Sequence, residues 1–214
     1  PHEGTIGQAA LQSLRGDGPS LPDTLLLVQH PPVYTLGTAS TLDNLRSDSV
    51  PFELHRTERG GEVTYHGPGQ LVLYPILDLR AYRQDVHWYM RSLEEVALRT
   101  LGSLGLPGER VEGLTGAWVD GAKVCAIGVK LSRWVTMHGL ALNVCPDLAH
   151  FGHIVPCGIA DRPVTSVAEL LGEAAADLRE VQRLLLRHFG DVFSVEVVEA
   201  SEGEEEVDSQ VLIS

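Results

Sequence analysis

Positive charge is scarce in this chain. It has 16 Lys and Arg against 29 Asp and Glu, a formal net charge of −13. Binding nucleic acid takes clustered Lys and Arg to displace the phosphate counterions, so nucleic acid is not an expected partner. Long apolar runs are missing too. None approaches the roughly 18 residues that span a bilayer, and no basic-then-apolar layout marks a signal peptide. No membrane partner and a cytoplasmic location are therefore expected. There are only 3 cysteines, Cys125, Cys145 and Cys157, an odd set that does not build a secreted disulfide framework. A reducing compartment suits them, and suits a thiol that must stay reactive.

What is present is a chain of 214 residues, 43% hydrophobic and 21% charged, long enough to bury a proper core. Residues 1–214 read as a single domain, with no repeat or linker dividing them. Acids crowd between Glu196 and Asp208, so residues 200–214 are expected to form a flexible acidic tail.

Apolar periodicity predicts helices over 5–15, from Val86 to Leu101, and from Leu178 to Phe189. Short apolar runs bounded by turn residues predict strands over 24–29, 54–57, 62–65, 70–77 and 193–198. Asp120-Gly121 suits a type I′ hairpin turn. A second hairpin is expected to turn at Ser132-Arg133, which would pair Leu131 with Trp134 and set Ala126 opposite Gly139. Thr165 or Ser166 is placed to cap a short helix ending at Gly172. Strand runs interrupted by helices give an α/β chain of the α+β kind, with a mixed, mostly antiparallel sheet and flanking helices.

The most informative segment is Arg59-Gly60-Gly61-Glu62-Val63-Thr64-Tyr65-His66-Gly67-Pro68-Gly69-Gln70, followed at once by the apolar run Leu71 to Leu77. Glycine lets another backbone or a ligand approach the main chain closely. The segments His30 to Gly37, Lys123 to Val129 and Ile154 to Ile159 complete a set that lies between residues 24 and 172. Together they resemble the lipoyl/octanoyl transferase family, the octanoyl-[acyl carrier protein]:protein N-octanoyltransferases. The resemblance implies a catalytic domain like that of biotin and lipoate protein ligases, itself similar to class II synthetase domains. It implies Lys123 and Cys157 as the catalytic pair. It implies three substrate-lining segments: Arg59, Gly60, Gly61, Glu62, Val63, Thr64, Tyr65 and His66; Ala126, Ile127 and Gly128; and Gly139, Leu140 and Ala141. No metal and no cofactor are implied, the octanoyl donor being carried on the phosphopantetheine of acyl carrier protein. The acceptors would be lysines on lipoyl domains of 2-oxoacid dehydrogenases and on the glycine cleavage H protein.

The residue types fit that chemistry. A thiolate attacks a thioester, and a free thiol with a pKa of about 8.5 needs a cationic neighbour to ionise near neutrality. An acidic carrier protein would need a local basic patch, for which Arg59, Lys130, Arg133 and Arg162 are the candidates. Cys125 reads as core. Strict strand alternation raises a conflict, since it puts Lys123 on the face of Cys125 and Ile127, opposite Ala126 and Gly128. A bulge, or contact through backbone, is expected to resolve it. Three other readings use the same residues. Cys145, His150, His153 and Cys157 could hold zinc. An ATP-dependent lipoate ligase on the same fold would need the lysine but not the cysteine. The third is a non-catalytic binding module or a thioester hydrolase.

Overall fold

The computed structural model describes residues 23–46, 50–155, 162–199 and 210–213. Its strands are β1 (Thr24–Val28), β2 (Val33–Leu36), β3 (Leu54–Arg56), β4 (Thr64–His66), β5 (Gln70–Ile76), β6 (Glu109–Val111), β7 (Leu114–Val119), β8 (Ala122–Ser132), β9 (Val135–Asn143), β10 (Val197–Glu199) and β11 (Gln210–Ile213). The helices are α1 (Val86–Ser103), α2 (Val167–Leu171) and α3 (Leu178–Phe193). Eight strands form one antiparallel sheet in the order β10-β11-β1-β5-β9-β8-β7-β6, and a small mixed sheet runs β3-β2-β4.

Alternation sorts the large sheet into two faces. Leu71 and Leu73 of β5, Leu140 and Leu142 of β9, and Ala117 and Val119 of β7 pack into one core with the buried stripes of α1 and α3. Asp85 caps α1 by accepting from the Trp88 N–H, and Asp177 caps α3 in the same way from Arg179. Ser166 caps α2 by accepting from Glu169, and Gly172 at φ 89° ends it. The opposite face of β5, β8 and β9 looks toward the small sheet. A second core of Tyr34, Leu36, Val63, Tyr65, Phe151 and Ile154 holds that small sheet together.

Several expectations are corrected. The strand expected over 193–198 starts only at Val197, because α3 continues to Phe193, whose ring stacks on Phe189 at 4.3 Å. Part of the expected acidic tail is strand: β11 pairs with both β1 and β10. Residues 200–209, and the helix expected over 5–15, lie outside the described residues. The second hairpin turns at Arg133 and Trp134, not at Ser132-Arg133. Both residues sit at positive φ, 51° and 69°, as a two-residue I′ turn requires to match the twist of its strands. Ser132 therefore pairs with Val135, Ala126 with Ala141, and Gly128 with Gly139. No described helix is long and apolar enough to cross a membrane.

Candidate active site

A narrow cavity, open at its mouth, lies between the large sheet and the small one. Its floor is built from small residues in register. Val72, Ala141 and Ala126 form one cross-strand row over β5, β9 and β8, and Gly128 faces Gly139 in the next row. Ile127 and Leu140 also border the cavity, yet Leu140 belongs to the helix-side core and Ile127 packs against it. By alternation they meet the cavity through their backbone.

The glycine-rich loop roofs this floor. Gly60 N–H donates to the Val129 carbonyl of β8, while Thr38 and Ala39 N–H donate to the Arg59 and Gly61 carbonyls. The loop thus bridges the two sheets. A Cβ on Gly37 would stand 2.2 Å from the Gly61 carbonyl oxygen, and one on Gly128 2.8 Å from that of Gly60. Two backbones approach too closely here for any side chain. The Arg59 guanidinium clamps the loop to β2, donating to the Thr35 carbonyl at 2.7 Å and to its hydroxyl at 2.9 Å. Glu62 accepts from Asn44 Nδ2 at 2.5 Å.

Every residue expected to line the acyl site borders this cavity, with one exception. Tyr65 is turned away into the second core, packed at a tilt against Tyr34 and Phe52 and edge-on to Phe151. The reason is the period of β4: Thr64 and His66 face the cavity, so Tyr65 between them cannot. The cavity also includes Thr35, Thr57, Val72, Tyr74 and His138, which the motif reading missed. The parity of β5 carries a signal for two of them, because Val72 and Tyr74 share the face opposite Leu71 and Leu73. His138 is harder to foresee, being a non-glycine residue at φ 58° inside a strand. One wall carries imidazole and phenol groups: His30 Nε2 lies 2.7 Å from the Tyr74 hydroxyl, and the His30 and His66 rings are 5.6 Å apart.

Lys123 is not a lining residue. It is 7% exposed, and its Nζ lies 4.7 Å from the centre of the Trp118 ring. The alternation conflict is resolved by a bulge. Trp118 pairs with Lys123 while Ala117 pairs with Cys125, which leaves Val124 as an extra residue. Val124 and Cys125 both enter the helix-side core, so Lys123 shares the cavity-side face with Ala126. Lys123 also exchanges backbone hydrogen bonds with the returning chain: its N–H donates to Pro163 and its carbonyl accepts from Thr165. Arg162 lies over the same Trp118 ring at 5.7 Å.

Cys157 lies outside the described residues. Its described flanks are Val155, held by its N–H to the Asn44 carbonyl, and Arg162. Cys125 is fully buried, and burial pushes its thiol up to about 12 against the lowering influence of Lys123. Of the residues expected to form a basic patch, Lys130 pairs with Glu58, Arg59 is committed to Thr35 and Arg162 lies on Trp118. As for zinc, the His150 ring packs edge-on to Phe52 at 4.8 Å, and Cys145 is exposed. No three potential ligands converge among the described residues.

Comparison with known proteins adds to this geometry. The Lipoyl protein ligase A/B catalytic domain matches residues 8–190. An octanoyltransferase of Nostoc sp. is 53% identical over 195 residues, which is 90% of this chain and 87% of that protein. One of Synechocystis sp. is 58% identical over 175 residues, 81% of this chain and 76% of that protein. Among solved structures, a bi-partite lipoate protein ligase from Thermoplasma acidophilum superposes with a TM-score of 0.71 at 16% identity, over 91% of this chain and 79% of that one. Lipoate-protein ligase A bound with ATP gives 0.67 at 17% identity, over 87% and 78%. Both structural likenesses concern the fold.

Proposed function

Because this chain belongs to the lipoyl protein ligase A/B catalytic-domain family, we propose that it is an acyltransferase moving an octanoyl group onto the ε-amine of a lysine on lipoyl domains. The donor is octanoyl-acyl carrier protein, and the work proceeds in two half-reactions. Cys157 attacks the carrier thioester; the C–S bond to phosphopantetheine breaks and an acyl-enzyme forms. The lysine amine then attacks that thioester, an amide forms and the Cys157 thiolate leaves. Lys123 stabilises the thiolate at both stages. The cavity floor of Ala126, Ala141, Gly128 and Gly139 receives the acyl chain, each buried CH₂ contributing about 0.8 kcal/mol.

The observation that carries this reading is the bulge at Val124, because it turns the Lys123 ammonium to the face on which the trough lies. Reach along the chain is compatible: Cys157 is five residues from Arg162 on Trp118, a span of at most about 17 Å. Energetically no ATP is needed, since a thioester is exchanged for a thioester before the more stable amide forms. Incubation with octanoyl-acyl carrier protein alone is expected to raise the intact mass by one octanoyl group on Cys157. A requirement for ATP, or an unmodified Cys157, would favour the ligase reading instead.

The trough also makes a prediction of its own. Ala141 is 5% exposed and sits mid-row between Val72 and Ala126. Ala141→Leu is expected to occupy the space of about three methylenes and to move donor preference to shorter acyl chains. Its loss of octanoyl affinity should be about 2 kcal/mol, read as kcat/KM against a series of acyl-carrier donors. Unchanged octanoyl kinetics would place the chain elsewhere.

A further inference from the structure

A buried hydrogen-bonded chain stands behind the cavity wall, and the two half-reactions make no use of it. Asn143 Nδ2 donates to the Thr165 carbonyl at 3.0 Å. Gln70 Nε2 donates to Asn143 Oδ1 at 2.8 Å and to the Tyr65 carbonyl at 3.3 Å. Gln70 Oε1 lies 2.7 Å from His66 Nδ1. Gln70, Asn143 and His66 are 1%, 4% and 6% exposed, so bulk water does not compete for these groups.

Two backbone carbonyls set the direction of every bond, because a carbonyl only accepts. Thr165 requires the amide NH₂ of Asn143, which leaves the Asn143 oxygen facing Gln70. That oxygen and the Tyr65 carbonyl both require the NH₂ of Gln70. The Gln70 oxygen is thereby turned on His66, and a neutral His66 meets it only with its proton on Nδ1. Reversing either amide sets oxygen against oxygen. His66 borders the cavity and Gln70 does not, and with the proton on Nδ1 the basic ring nitrogen is Nε2.

We infer that Gln70 and Asn143 are positioning residues that hold His66 as the Nδ1–H tautomer, so that Nε2 accepts a hydrogen bond from the attacking lysine amine. The tautomer stands on the hydrogen bonds alone, whereas the assignment to the amine rests on the octanoyl-transfer reading. The same chain reaches Lys123, since the Thr165 whose carbonyl Asn143 holds donates its own N–H to the Lys123 carbonyl. Asn143 thus ties the imidazole wall to the segment that seats the ammonium.

Long-range ¹H–¹⁵N correlation on ¹⁵N-histidine-labelled protein tests the tautomer directly, with His66→Gln to assign the resonance. At a pH where His66 is neutral, a protonated Nδ1 and a bare Nε2 are expected; a protonated Nε2 would overturn the inference without any variant of the network. Gln70→Leu and Asn143→Ser, checked for fold by their retained spectra, should let both tautomers appear. Transfer from preformed acyl-enzyme to a lipoyl domain should then slow about tenfold or more, while acylation stays within a factor of about three. Equal loss in both half-reactions would reduce the network to a structural support. If the wild type forms no acyl-enzyme, the octanoyl reading fails while the tautomer result still stands or falls on the spectra.

Discussion

Cys157→Ala is expected to abolish both acyl-enzyme formation and octanoyl transfer, lowering turnover by about four orders of magnitude or more, because the proposed intermediate is carried on its sulfur. The contrast with Cys125 gives this test its meaning. Cys125 is nearer to Lys123 in sequence, yet it is fully buried in the helix-side core and its thiol is pushed up to about 12. A group in that state stays neutral at physiological pH and does not attack. Cys125→Ala should therefore leave transfer largely intact, at the cost only of a small core void. Native alkylation followed by peptide mapping should modify Cys157 and spare Cys125. Transfer surviving in Cys157→Ala, or lost in Cys125→Ala with the fold preserved, would overturn the assignment.

Lys123→Met should have the second largest effect, slowing transfer by about 10² to 10⁴. Methionine keeps an unbranched stem of similar length against Trp118 and removes only the charge, so the fold should survive. In the proposed mechanism the variant deprives the Cys157 thiol of the cation that favours its ionised form. The sign follows: the thiolate becomes harder to form, and the pH midpoint for alkylation of Cys157 should rise by about one to three units. An unchanged alkylation profile would remove Lys123 from the pair.

How far the sequence could be read depended on the range of the interaction involved. The helices α1 and α3, the caps at Ser166 and Gly172 and the Asp120-Gly121 turn are local matters, set by periodicity and by residues within a few positions of one another. The glycine-rich segment was legible as a loop that another backbone must approach. Its partner was not: the Gly60 to Val129 contact joins two sheets far apart in the chain. The hairpin register was misread by the position of one turn, because Trp134 at positive φ carries no glycine or asparagine to announce it.

The amino-acid order alone therefore settled the family resemblance, the fold class and the residue types available for acyl transfer, since these follow from composition, period and motif. Which face each residue occupies was left to the tertiary structure. One extra residue at Val124 reverses the parity of β8 and brings Lys123 to the cavity side. The parity of β4 sends Tyr65 away from the cavity that its neighbours line. The Gln70–Asn143 relay exists only because β5, β9 and the chain at Thr165 meet in space. Side-chain direction in a sheet is a property of pairing, and pairing is decided by partners distant in sequence.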